Sequence, residues 1–301
     1  PPLIERAAAE GGFYRVDSGV LQTLAFAGGY RAVTRPDGVL LLEDIKRKTK
    51  RITGNGSASL WDIGDGVLCF EVHTKMNTVD RDVLTLLGQT IVRVPLTHKA
   101  LVIYNEGGNF SAGVNLGIAL FAANIALWSE IEGMVKLGQD TYKALRYARF
   151  PTVAAPSGLA LGGGCELLLH SSAIQAHAES YIGLVEAGVG VVPGWGGCKE
   201  MLRRWAAAPK MPQGPMPAVG KCFETIGTAT VAKSAAEAKE LMFLAPGDGI
   251  TMNRDRLLAD AKARALSLVK GYRAPEPHVY VLPGPSGRRA GGLCLGASHL
   301  R

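Results

Sequence analysis

PTVAAPSGLALGGGCELLLHSSAIQAHAESYIGLVEAGVGVVPGWGGCK, residues 151–199, is the stretch around which the rest of the chain is organised. It opens on an apolar run, Thr152 to Ala155, that Pro156 and Gly158 bring to a stop. A short apolar run bounded by turn residues reads as a buried strand. Gly162, Gly163 and Gly164 then lead into an apolar segment, Cys165 to Leu169, that carries one acid, Glu166. A second acid, Glu186, sits in another weakly polar segment, and a Pro-Gly-Trp-Gly-Gly turn from Pro193 to Gly197 closes the stretch. Glycines allow backbone to approach a ligand closely. Where they open a helix, its first N–H groups are left free to meet negative charge. A carboxylate in apolar surroundings is costly unless paired or protonated, and that cost raises its pKa. Free backbone donors and two such acids suit a reaction that develops an oxyanion and moves a proton.

Upstream, Ser59–Ile63 and Val67–Val72 are strand-like runs separated by Gly64-Asp65-Gly66, a hairpin signature. The polar turn His73–Thr78 leads into helical spacing of Val83, Leu86, Leu87, Ile91 and Val94. A strand at Ala100–Tyr104 ends in the glycine-rich loop Gly107–Asn115, and a helical pattern runs from Gly133 to Arg149. Downstream, the turn-rich PKMPQGPMP that begins at Pro209 gives way to helices at Ala218–Ile226, Ala235–Phe243 and Arg254–Leu268. Strands alternating with helices, with glycine loops at strand ends, predict an α/β domain whose ligand loops share one sheet edge. The first 56 residues read as a preamble: a helix from Leu3 to Ala9, an apolar piece from Val20 to Ala27, and a strand-like run from Val39 to Leu42. Lys46–Arg51, KRKTKR, reads as a solvated linker or helix face, with an anion-binding patch as the alternative. Asn55-Gly56-Ser57 marks a boundary. The expected divisions are 1–56, a core over 57–209, C-terminal helices over 210–274 and a Pro/Gly-rich tail over 275–301.

Composition bounds the function classes. A chain of 301 residues, 47% hydrophobic and 20% charged, has room for a sizeable core. No apolar run reaches membrane-span length, and the N-terminus lacks a signal-peptide pattern. Cys69, Cys165, Cys198, Cys222 and Cys294 are few, odd in number and not spaced as metal or redox pairs. A reducing, cytoplasmic setting without metal or disulfides is the expectation. The net charge of +7 suits an anionic partner without naming one. His98 and His177 show no ligand spacing, and His170, four residues after Glu166 on one helical face, reads as structural. The glycine spacing is wrong for G-x-G-x-x-G, so NAD is not expected, and no G-x-S-x-G nucleophile elbow exists.

Several motifs in order carry a family resemblance. Phe110-Ser111-Ala112-Gly113-Val114-Asn115 resembles the FSAGAD loop of the crotonase (enoyl-CoA hydratase/isomerase) superfamily. Residues 151–167 are similar to its PVIAAVNGxALGGGCEL segment, and residues 186–197 to its PExxLGxxPGxGG segment. Lys75-Met76-Asn77-Thr78 stands where that family has its first acyl-CoA turn, and Ser234–Ala238 resembles its SAxEA helix start. The flanks resemble something narrower, the hydratase part of a bacterial fused 3-hydroxyacyl-CoA dehydrogenase/enoyl-CoA hydratase. The resemblance implies a ββα-superhelix core with a C-terminal helical region, and hydration of trans-2-enoyl-CoA in fatty-acid β-oxidation. It implies an oxyanion hole from the N–H groups of Val114 and Gly163. Glu166 would act as base and Glu186, 20 residues on, as acid, with the Gly194 N–H positioning water. Lys75, Met76, Ala112, Gly113, Gly162 and Trp195 would contact substrate. No separate cofactor is implied.

The resemblance also implies an upstream dehydrogenase part of a longer chain, against which Leu3, Ile4, Phe13 and Tyr14 would have packed. No nucleic acid is expected, and association with further copies of the chain stays open. An isomerase using Glu186 alone, and a non-catalytic acyl-CoA or RNA-binding relative, are the alternatives. Three departures stand out: Val114-Asn115 for Ala-Asp, a lost proline before Glu186, and the bulky Trp195. That tryptophan either caps the acyl pocket or packs beneath the loop.

Overall fold

Side-chain parity on the central strands decides the architecture. The computed structural model describes residues 2–209 and 211–287; Cys294 and the end of the expected tail lie outside them. Helix α1 (Pro2–Glu10) precedes a small antiparallel sheet, β1 (Tyr14–Asp17), β2 (Val20–Leu24) and β3 (Tyr30–Ala32). Ile4, Phe13 and Tyr14 are exposed on this segment. Val39–Leu42 is not a strand. It runs as coil into α2 (Leu42–Lys48), because Leu42 is drawn fully into the core while Glu43 and Asp44 occupy the first turn and Lys46–Lys48 the last. That charge order favours a helix dipole. Lys46–Lys48 of the basic run thus end a helix, and Lys50 and Arg51 follow it as coil. Lys46 pairs with Glu71 and Glu43, and Arg47 with Asp44 at 2.5 Å.

The main sheet begins with β4 (Thr53–Gly54), β5 (Ala58–Asp62) and β6 (Val67–Val72), all antiparallel. Asn55-Gly56-Ser57 is the turn between β4 and β5, held by Asn55 Oδ1 accepting from the Ser57 and Ala58 N–H groups at 2.9 Å. Helix α3 (Arg81–Thr97) is capped by Asp80, which accepts from the Val83 N–H at 2.8 Å. It is followed by β7 (Ala100–Tyr104), α4 (Leu116–Asn124), α5 (Trp128–Arg146), β8 (Thr152–Ala155), β9 (Gly158–Leu161) and α6 (Gly163–Leu169). Next come β10 (Ala173–His177), β11 (Ser180–Gly183), α7 (Gly197–Ala206), α8 (Pro215–Gly227), β12 (Val231–Ala232), α9 (Ala235–Glu240), β13 (Gly249–Thr251) and α10 (Leu257–Val269). The seven-stranded sheet runs β13-β10-β8-β7-β6-β5-β4, and β9, β11 and β12 form a second sheet in the order β12-β11-β9.

Leu68, Phe70, Leu101 and Ile103 face one way, into a core with Val83, Leu84 and Leu87 of α3 and Leu145 of α5. Val67, Cys69, Val102 and Val153 face the other, against Leu42 of α2 and Leu257, Leu258 and Ala261 of α10. Successive strand residues point to opposite faces, so strands covered on both sides read as unbroken apolar runs. Each fully buried Leu or Phe contributes about 1.5–3 kcal/mol. The chain steps repeatedly from the first sheet to the second and then to a helix, as in β8-β9-α6. This is the ββα step that the family resemblance implies, followed by C-terminal helices α8 to α10.

Candidate active site

Three strand ends converge on the glycines of α6. Asn105, fully buried after β7, accepts from the Val72 N–H at 2.7 Å and donates to the Phe110 carbonyl. The loop that follows is laid along β9: Ser111 N–H donates to Leu159 O, and Leu161 N–H to Ser111 O, both at 2.9 Å. Gly113 then turns with φ +81°, and a Cβ there would stand 2.9 Å from the Gly163 nitrogen. Only glycine permits both the positive φ and the approach. Val114 and Gly163 are thereby adjacent in the site, and neither N–H has a hydrogen-bond partner among the described residues. Two free N–H groups, one opening α6, make a polar cradle for an oxyanion.

The turn at Lys75–Asn77 closes against the same loop. Met76, itself at φ 57°, accepts the Ala112 N–H at 3.1 Å through its carbonyl, and Asn77 Nδ2 donates to Asn109 O at 2.8 Å. Lys75 and Met76 are exposed at the rim. Lys75, Met76, Ala112, Gly113, Val114, Gly162 and Gly163 therefore share one edge.

Glu166 lies in α6 and is 2% exposed. Its Oε1 accepts from the N–H groups of Trp195 and Gly197, each at 2.8 Å, at the start of α7. Desolvation raises its pKa, the Gly197 and Trp195 bonds oppose the rise, and nearby Glu186 adds to it; the outcome is about 7. Gly162 N–H donates to Gly183 O at 2.9 Å, which ties β9 to β11 and brings Glu186 to the glycines. A Cβ on Gly162 would stand 3.4 Å from Glu186 Oε1. Glu186 Oε2 is buried without a hydrogen-bond partner among the described residues, and desolvation raises this carboxyl too. Two carboxyls with raised pKa values near two free N–H groups can take up one proton and deliver another.

Gly194 is half-buried, and its carbonyl accepts from Gln139 Nε2 at 2.8 Å. The N–H groups that reach Glu166 are those of Trp195 and Gly197, which sequence reasoning missed. Being backbone groups, they leave no mark in the residue types. Trp195 packs beneath the loop, 4% exposed, against Gly138 and Gly163 and edge-on to Tyr142 at 5.3 Å. Tyr142, also unforeseen, is buried and donates from its hydroxyl to Gly163 O at 2.9 Å. Its place on the apolar face of α5 reads as ordinary core.

The enoyl-CoA hydratase/isomerase family matches residues 64–211. A Bacillus subtilis protein named "Probable 3-hydroxyacyl-CoA dehydrogenase" is 39% identical over 279 residues, 91% of this chain and 34% of that one. The chain thus spans about a third of that relative's length. An enoyl-CoA hydratase crystal structure from Bacillus anthracis aligns with TM-score 0.57 and 22% identity, over 70% of this chain and 75% of that one. One from Polaromonas sp. JS666 aligns with TM-score 0.59 and 19% identity, over 71% and 77%. At these identities the structural likenesses speak for the fold. With the motifs and the matched residues, the assignment is plain: the chain belongs to the crotonase (enoyl-CoA hydratase/isomerase) superfamily.

Proposed function

We propose that the chain hydrates trans-2-enoyl-CoA to 3-hydroxyacyl-CoA in fatty-acid β-oxidation. The observation that carries this reading is the pairing of two buried-side carboxyls, Glu166 and Glu186, beside free N–H groups on Val114 and Gly163. The thioester oxygen would sit between those two donors. Water held by the acids adds its oxygen to Cβ, its proton passing to Glu166. The Cα=Cβ π bond opens, negative charge moves to the thioester oxygen, and Glu186 delivers a proton to Cα. A water-mediated transfer between the acids restores the starting state, so one water is added in all. An acid near neutrality is suited to accept and release a proton at working pH. Removing one oxyanion donor in comparable sites costs about 2.7–4 kcal/mol. Gly194 would aid the water, and Lys75, Met76, Ala112, Gly113 and Gly162 would line the substrate's path, with Lys75 toward the phosphates of CoA. Trp195 would form the floor.

An isomerase needs a single shuttling acid, and Glu166 gripped by two N–H groups speaks for the two-acid reaction. A dehydrogenase part elsewhere in a longer protein would consume the product, and the exposed Ile4, Phe13 and Tyr14 suit a covering partner of that kind. The test is product identity. Incubated with crotonyl-CoA and NAD, the purified chain is expected to give a product heavier by one water and no NADH. A shift of the double bond without added water would replace this reading with isomerisation.

A further inference from the structure

The helix that carries Glu166 ends on a titratable side chain that the hydration scheme leaves unused. His170 is fully buried. Its Nδ1 lies 2.7 Å from the Glu166 carbonyl oxygen, which also accepts the His170 backbone N–H at 3.2 Å. A carbonyl oxygen can only accept, so Nδ1 carries the proton and Nε2 keeps a bare lone pair. Nε2 has no hydrogen-bond partner among the described residues and faces Gly196, where a Cβ would stand 2.9 Å from it. Gly196 has φ +109° and lies between Trp195 and Gly197, the residues whose N–H groups hold Glu166 Oε1. One imidazole thus touches both the backbone of Glu166 and the turn that grips its carboxyl. Tyr142 backs the ring at 5.6 Å between centroids while it reaches Gly163 O. An unsatisfied buried nitrogen costs about 1–3 kcal/mol, which an apolar residue would avoid.

We propose that His170 is a positioning residue for Glu166: its ring joins the Glu166 backbone to the Gly196 turn and so keeps two N–H donors on the carboxyl. In its use of Glu166 as the base, the proposal rests on the hydratase reading. The groups facing His170 are Glu200 and Lys199 from α7, Arg146 and Tyr142 from α5, and Glu166 on its own helix. Those facing Glu166 are Glu186, Tyr142 from α5, Cys198 from α7 and Cys165 on its own helix. Burial pushes His170 down to about 4, so the ring stays neutral in the range where Glu166 titrates. A loosened turn weakens the two bonds that oppose desolvation, and the Glu166 pKa then rises.

The test needs no substrate. In protein labelled at glutamate Cδ with 13C, the Glu166 resonance is assigned by its loss in Glu166→Gln and titrated by NMR. Wild type is expected to titrate near about 7, and His170→Phe at least about half a pH unit higher. In the same variant kcat for enoyl-CoA hydration is expected to fall about tenfold with KM within about twofold. His170→Asn, whose amide keeps a donor near Nδ1, is expected to recover part of both effects. His170→Leu, which removes the Nδ1 donor to Glu166 O and the ring's reach to Gly196, is expected to show the same upward shift. It carries the test should His170→Phe not fold. An unmoved Glu166 midpoint in either folded variant overturns the proposal, even if kcat drops. A shifted midpoint in a protein whose wild type hydrates no enoyl-CoA keeps the positioning role and overturns the hydratase reading instead.

Discussion

Replacing Glu166 with glutamine should stabilise the fold increasingly as pH rises. The acid is 2% exposed, and burial lifts its pKa from 4.5 to about 7. Below 4.5 both folded and unfolded chains hold the proton, and ionisation costs nothing. Between 4.5 and about 7 the folded chain keeps a proton that the unfolded chain has released, so wild-type stability falls as pH rises. At about 1.4 kcal/mol per pH unit the full cost above neutrality is about 3 kcal/mol. Glutamine cannot ionise and escapes this cost. Its amide oxygen still accepts from Trp195 and Gly197, and the extra strength those bonds gain from a charged carboxylate is already contained in the folded pKa of about 7. His170, pushed down to about 4, loses stability as pH falls below 6.5, but equally in both proteins. The difference between variant and wild type should therefore grow by about 2 kcal/mol between about pH 5.5 and about pH 8.5. Urea unfolding followed by circular dichroism at both values measures it. A difference that is the same at both pH values would refute the raised pKa and the reasoning built on it.

Gly113→Ala puts a Cβ 2.9 Å from both the Gly163 nitrogen and Leu161 O at a φ of +81°. It is expected to lower kcat/KM about a hundredfold or more by spoiling the oxyanion cradle, read by steady-state kinetics. Lys75→Ala, at the exposed rim, is expected to raise KM for acyl-CoA several-fold with kcat nearly unchanged, because it removes contacts common to ground and transition states. An unchanged KM would move the phosphate contact elsewhere.

Much of the fold was legible because its signals are local. The Gly64-Asp65-Gly66 turn marks the β5–β6 hairpin, and the apolar run at Ala100–Tyr104 is β7. Helix α4 escaped because it carries no amphipathic stripe: Ile118, Leu120 and Phe121 are apolar and exposed, and only the Asn115 cap announces it. The helical pattern placed at Gly133–Arg149 is α5, which starts earlier, at Trp128. Val39–Leu42 misled because apolar runs are shared by strands and helix starts. In the site, Glu166, Glu186 and the glycines stood out by type and motif. The grip on Glu166 did not, because its donors lie 29 and 31 residues away and belong to backbone, which has no sequence mark. The His170 and Tyr142 contacts were hidden for the same reason.

In the proposed reaction Glu166 and Glu186 act together on water while the substrate is held by other groups. The most direct measurement compares crotonyl-CoA hydration by wild type, Glu166→Gln and Glu186→Gln, with acyl-CoA affinity determined on the same preparations by calorimetry. Each variant is expected to lose about two to four orders of magnitude in kcat while binding acyl-CoA nearly as well as wild type. Near wild-type turnover in either variant would contradict the two-acid account.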